Sequence, residues 1–128
     1  CGTGHSVSFV GNVHEGPHAL NGRNTVVFQP GMIVTDEPGV YEGGQVGIRI
    51  ENELMCVHKA DNQYGTFLGF EPIMFVPIAT SPVVPGVLTR DELDWLNAYH
   101  RKVFTKLAPR LTEEERDWLA KKCAAIGA

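Results

Sequence analysis

The chain has 128 residues, 43% hydrophobic and 20% charged, with a formal net charge of −4. That composition is ordinary for a globular domain with a real core. The eleven Lys and Arg residues are scattered, which argues against a nucleic-acid or anionic-membrane surface, and no apolar run approaches the ~18 residues needed to span a bilayer. Three cysteines, Cys1, Cys56 and Cys123, lack metal-type spacing. Their odd number argues against a disulfide framework and for a reducing, cytoplasmic setting. The chain opens without a Met, inside a glycine-rich segment that carries a histidine. It reads as part of a longer protein.

Residues 1–80 read as strands and turns, and residues 81–128 as a helical extension packed on the same domain. His5 sits in Gly-Thr-Gly-His, and His14 heads His-Glu-Gly-Pro, a turn-forming sequence. Residues 25–29 form a short β-rich run stopped by Pro30-Gly31. Residues 32–37 form another, stopped by Pro38-Gly39. Residues 41–45 read as a turn, and residues 46–57 as one long strand. An antiparallel hairpin or meander follows. The segment 77–85 is a proline-rich extended connector. Thr89 with Glu92, and Thr112 with Glu115, fit capping boxes that open two helices separated by Pro109.

Alternate residues of a strand share a face. Thr35 and Glu37 therefore point one way, and Arg49, Glu51 and Glu53 share one face opposite Ile48 and Ile50. Adjacent antiparallel strands can aim Glu37 and Glu51 into one pocket. Carboxylates that close repel unless a cation or a proton lies between them. A strand carboxylate on a polar face is ordinarily just solvated, and a lone histidine is ordinarily structural. The constrained settings of His5, His14 and Glu37, beside Gly and Pro, weigh against that plain reading. His18, His58 and His100 keep it. Trp95 and Trp118 read as core or interface anchors, and Phe67, Phe70 and Phe75 as core. Glu15 and Asp36 read as loop and strand supports.

Four segments now stand in order: Gly2-Thr3-Gly4-His5, Asn12-Val13-His14-Glu15-Gly16-Pro17, Asp36-Glu37-Pro38-Gly39-Val40-Tyr41 and Gly47-Ile48-Arg49-Ile50-Glu51-Asn52. In order and spacing they resemble the pita-bread metallopeptidases, most of all the cytosolic-type Xaa-Pro aminopeptidases. Phe70-Glu71-Pro72-Ile73, Val76-Pro77-Ile78 and residues 93–100 are similar to that family's C-terminal segment. The resemblance implies an α+β fold, the C-terminal part of a pita-bread domain with a curved antiparallel sheet and C-terminal helices. It implies that His5, Glu37 and Glu51 are ligands of a two-metal centre, with Glu51 bridging the ions. It implies that His14 binds the scissile region of a peptide with proline second. Arg49, on the Glu51 face, would hold a ligand carboxylate in place.

The donor set suits Mn²⁺, Co²⁺ or Zn²⁺, and the resemblance favours manganese. It also implies two upstream aspartate ligands that this chain lacks, so the 128 residues alone are expected to be inactive. A homodimer is implied too, with Leu93, Trp95, Leu96 and Tyr99 as excess apolar surface on the first helix. Two departures stand out. Gly4-His5-Ser6-Val7-Ser8 replaces the usual Gly-His-Gly-Val-Gly, and Cys1 stands where many relatives carry a histidine; no role is assigned to Cys1. Rival readings are a prolidase or another aminopeptidase of the same fold, or a non-catalytic module that binds peptides or proteins.

Overall fold

The computed structural model describes residues 3–127. Cys1 and Gly2, which open the first motif, lie outside the described residues. The chain divides into two compact units, Cys1–Met74 and Phe75–Ala128. This division falls at 74/75, upstream of the 80/81 boundary drawn from the sequence. The reason is local: the connector is strapped to the first helix. Tyr99 donates its hydroxyl to the Val76 carbonyl at 2.9 Å, and the Ile78 N–H donates to His100 Nε2 at 3.1 Å.

The first unit is built from antiparallel pairs. Strand β1 (His5–Ser6) pairs with β2 (Glu15–Ala19). Strand β3 (Ile33–Asp36) pairs with β6 (Asn52–Asn62), which also pairs with β7 (Gly65–Pro72). Strand β4 (Gly39–Glu42) pairs with β5 (Val46–Arg49) around a turn at residues 43–45. The long strand expected over 46–57 is therefore interrupted, at Ile50 and Glu51. Opposite that interruption lies Pro38, which has no N–H to give to a ladder. Tyr41 and Glu42, expected in the turn, extend β4 instead.

Residues 25–29 form no strand. The Asn24 side chain accepts from the Val26 N–H at 3.0 Å and donates to the Val26 carbonyl at 2.9 Å, closing a local turn. Phe28 then packs edge-on between His18 and Phe70, with ring centroids 5.5 and 5.2 Å away. The alternation here anchors an aromatic rather than a ladder. His18 is buried and donates Nε2–H to the Ile33 carbonyl at 2.7 Å. Phe67, expected in the core, is 46% exposed near the tip of the β6–β7 hairpin.

In the second unit, α1 (Arg90–Leu107) and α2 (Glu113–Lys122) both open with the expected capping boxes. Tyr99, Val103 and Leu119 form the core, and Phe75, Ile78, Phe104, Leu107, Leu111 and Cys123 pack against it. Of the four residues read as excess apolar surface, Leu93, Leu96 and Tyr99 are buried; Trp95 remains 56% exposed, stacked on Tyr99. Trp118 is also exposed, at 57%. Among the described residues, no helix is long and apolar enough to cross a membrane.

Candidate metal centre

The break between the two hairpin ladders places the acidic pair. Asp36 faces Asn52 on one side of it, and Gly39 faces Arg49 on the other. The same register carried across the gap sets Glu37 opposite Glu51 and Pro38 opposite Ile50. The Ile50 N–H still donates to the Pro38 carbonyl, at 3.3 Å. Side chains directly opposite in an antiparallel pair lie on one face with Cβ atoms about 5 Å apart. The face that carries the carboxylates also carries Thr35, Tyr41 and Arg49.

Glu37 is buried to 4% exposure, whereas Glu51 is exposed. Arg49 Nη1 lies 3.8 Å from Glu37 Oε2 and 3.9 Å from Glu51 Oε2. The guanidinium is itself held by Tyr41, whose hydroxyl accepts from Arg49 Nε at 2.8 Å. That hydrogen bond, then the Glu37 and Glu51 charges, keep the Arg49 pKa above its ordinary value. Tyr41 lies across the strand pair over Gly39: a Cβ there would come within 2.6 Å of its hydroxyl. Any side chain at residue 39 would push the tyrosine off the arginine.

His5 meets Glu37 from β1. Its Nε2 lies 2.8 Å from Glu37 Oε1, and its Nδ1 lies 3.0 Å from the Ser6 carbonyl. A carbonyl only accepts, so Nδ1 carries the hydrogen. In the neutral ring Nε2 is then a bare lone pair aimed at a carboxylate oxygen. Two lone pairs at 2.8 Å require a proton or a cation between them. This arrangement fits a metal ion: a ring locked in one tautomer by a neighbouring carbonyl presents its other nitrogen as a ligand.

His14 packs edge-on against His5, with ring centroids 4.6 Å apart, and is exposed. The structure thus brings together His5, Glu37 and Arg49, with His14 beside them and Glu51 joined through Arg49. Among the described residues, no group of three or more His, Cys, Asp or Glu side chains is arranged to hold a metal ion. The donors present are one imidazole and two carboxylates, a partial set that suits borderline divalent ions.

Sequence reasoning missed Tyr41, Thr3 and Thr35. The Tyr41 signal was available: it has the parity of Glu37, and the small Gly39 and Gly47 flank it on the same face. Glu15, read as a loop support, accepts from the Asn12 N–H through Oε1.

Comparison with known proteins places these residues in a larger context. Residues 1–58 match the model of metallopeptidase family M24, and residues 66–126 match the model of the C-terminal region of peptidase M24. The chain is 46% identical to aminopeptidase P2 of Arabidopsis thaliana, over 92% of this chain and 18% of that protein. It is 41% identical to a probable Xaa-Pro aminopeptidase P of Coprinopsis cinerea, over 98% of this chain and 21% of that protein. The crystal structure of X-prolyl aminopeptidase from Caenorhabditis elegans, a cytosolic enzyme with a di-nuclear active site, superposes with a TM-score of 0.83 at 39% identity. That match covers 98% of this chain and 21% of the nematode one. The chain therefore spans about a fifth of the length of the curated relatives it matches.

Proposed function

This chain belongs to metallopeptidase family M24, and from that premise we propose that the protein of which it forms part removes the N-terminal residue from peptides with proline second. The observation that carries the reading is the His5–Glu37 contact, with His5 Nδ1 fixed on the Ser6 carbonyl and Glu37 set opposite Glu51 at the ladder break. His5, Glu37 and Glu51 are the side chains that would hold two divalent ions, with Mn²⁺ as the expected metal and Zn²⁺ or Co²⁺ as chemically compatible ones. When bound, such a pair supplies a water activated near neutral pH and a polarised scissile carbonyl.

The remaining roles fall to this chain's own groups. His14, exposed beside His5, is placed to donate a hydrogen bond to the scissile region of a peptide. Arg49, steadied by Tyr41, holds the two carboxylates on one face. An N-terminal Xaa-Pro bond is a tertiary amide without N–H, so recognition cannot rely on that donor and falls to groups that address the carbonyl. Three donors leave a two-metal site short of ligand atoms. Two further aspartates are expected outside these 128 residues, and the 128-residue chain by itself is expected to show no turnover and weak metal uptake. A homodimer and a cytoplasmic location go with the same reading; the exposed Trp95 and Trp118 are the apolar candidates for a subunit contact.

The test is the full-length protein with excess Mn²⁺ on an Xaa-Pro peptide, beside metal analysis. Two ions per chain and release of the first residue are expected. A full-length protein that takes up no divalent ion would sink the reading.

A further inference from the structure

Thr35 has one hydroxyl proton and two oxygen lone pairs, and all three are in use. The backbone N–H groups of Gly4 and His5 both donate to its Oγ1, each at 3.1 Å. Neither can accept, so the hydroxyl proton is left for Glu37 Oε1, at 3.0 Å. Thr35 is 2% exposed, so water does not compete for these bonds. Thr3 makes the reciprocal connection: its Oγ1 accepts from the Glu37 N–H at 2.9 Å. Two hydroxyls thus tie the segment that carries His5 to the residue it faces, once through the Glu37 side chain and once through its backbone.

The consequence for Glu37 is that its two oxygens are not equivalent. Oε1 is held by Thr35 and faces His5 Nε2, while Oε2 is left toward Arg49. We propose that Thr35 and Thr3 are positioning residues that set the approach of His5 Nε2 to Glu37 Oε1 and so tune the affinity of the site for a divalent ion. This rests on the reading that His5 and Glu37 bind metal. A threonine that only pinned two strands would change how readily the segment unfolds. It would not change how tightly the folded protein binds an ion. Valine keeps the shape of Thr35 but strands two N–H groups and frees the carboxylate; serine keeps the hydroxyl.

The experiment is a Mn²⁺ titration of the full-length protein, following free Mn²⁺ by its electron paramagnetic resonance signal, with thermal unfolding measured without metal. Thr35→Val should raise the Mn²⁺ Kd about 10–100-fold, and Thr35→Ser should stay within about threefold of wild type, as expected for a group that orients a ligand. A folded Thr35→Val protein with wild-type Mn²⁺ affinity would overturn the proposal. If Thr35→Val does not fold, Thr3→Val carries the test: it removes the acceptor for the Glu37 N–H and leaves Thr35 intact. A raised Kd supports the clamp and an unchanged one overturns it. Wild-type protein that binds no Mn²⁺ would instead remove the metal reading on which the clamp depends.

Discussion

The first unit buries Val34 and Cys56 together with His18, Thr35 and Glu37, whereas the second buries Leu93, Leu96, Tyr99, Val103, Ala108 and Leu119, with His100 among them. Burying a polar group is unfavourable unless it is hydrogen-bonded. Thr35 is bonded on every site it has, His18 through Nε2 to Ile33, and Glu37 through both its backbone and its side chain. The first unit therefore hides its interior around a carboxylate, and the second around apolar side chains. The first is organised by hydrogen bonds to one acid, where the proposed chemistry would sit; the second is organised by packing. Substitutions should separate the two.

Glu37→Gln should have the largest effect. On the proposed reading, losing the buried carboxylate removes a metal donor as well as the partner of His5. In the full-length protein kcat should fall about 1000-fold, the several kcal/mol that metal assistance supplies, with metal content reduced. Hydrogen exchange in α1 should be unchanged; faster exchange there would show that the two regions are not separable in this way.

Leu119→Ala strikes the other unit. It is 2% exposed in the core with Tyr99 and Val103. The loss should be about 3 kcal/mol of local stability, read as faster hydrogen exchange across α1 and α2. The Mn²⁺ affinity of the folded protein should not move, and a change in it would break the comparison.

His14→Ala sharpens the division inside the first unit. Here kcat should drop about 100-fold, as for the loss of one positioned donor, while metal content stays near the wild-type value. Loss of metal would show that His14 is a ligand.

The smallest effect concerns pH. Burial holds the His100 imidazole below the ordinary histidine value, and the Ile78 N–H needs a bare Nε2 to donate to. The folded state thus favours the neutral ring. The resulting stability is present above about pH 6.5 and is lost as pH falls toward the lower folded value. Denaturant midpoints at pH 7.5 and 5.5, with α1 followed by hydrogen exchange, should show a modest acid loss that His100→Gln removes. An identical acid loss in His100→Gln would assign it elsewhere.

The second unit was largely legible in the sequence. Thr89 and Thr112 announce their helices because a capping box is a local device. Its upstream limit was not, because the bonds from Tyr99 and His100 to Val76 and Ile78 span more than twenty residues. In the first unit, strand parity alone placed Glu37, Arg49 and Glu51 on one face. It could not foresee that Pro38 would cut the long strand, that residues 25–29 would serve to seat Phe28, or that Thr3 and Thr35 would cross-link to distant backbone. Those outcomes depend on which non-local donors and acceptors meet, and periodicity carries no record of that.

Pro38 has one more consequence. The backbone ladder thins at residues 37–38, where the Ile50 N–H reaches the Pro38 carbonyl at 3.3 Å, so the hairpin has a seam, and two side chains of like charge stand at it. Arg49 reaches both, from 3.8 and 3.9 Å. Any divalent ion taken up between them would act as a rivet for the two strands as well as a reagent. Loading the site and completing the hairpin would then be one event, and chelation would loosen the strands as it stopped the chemistry.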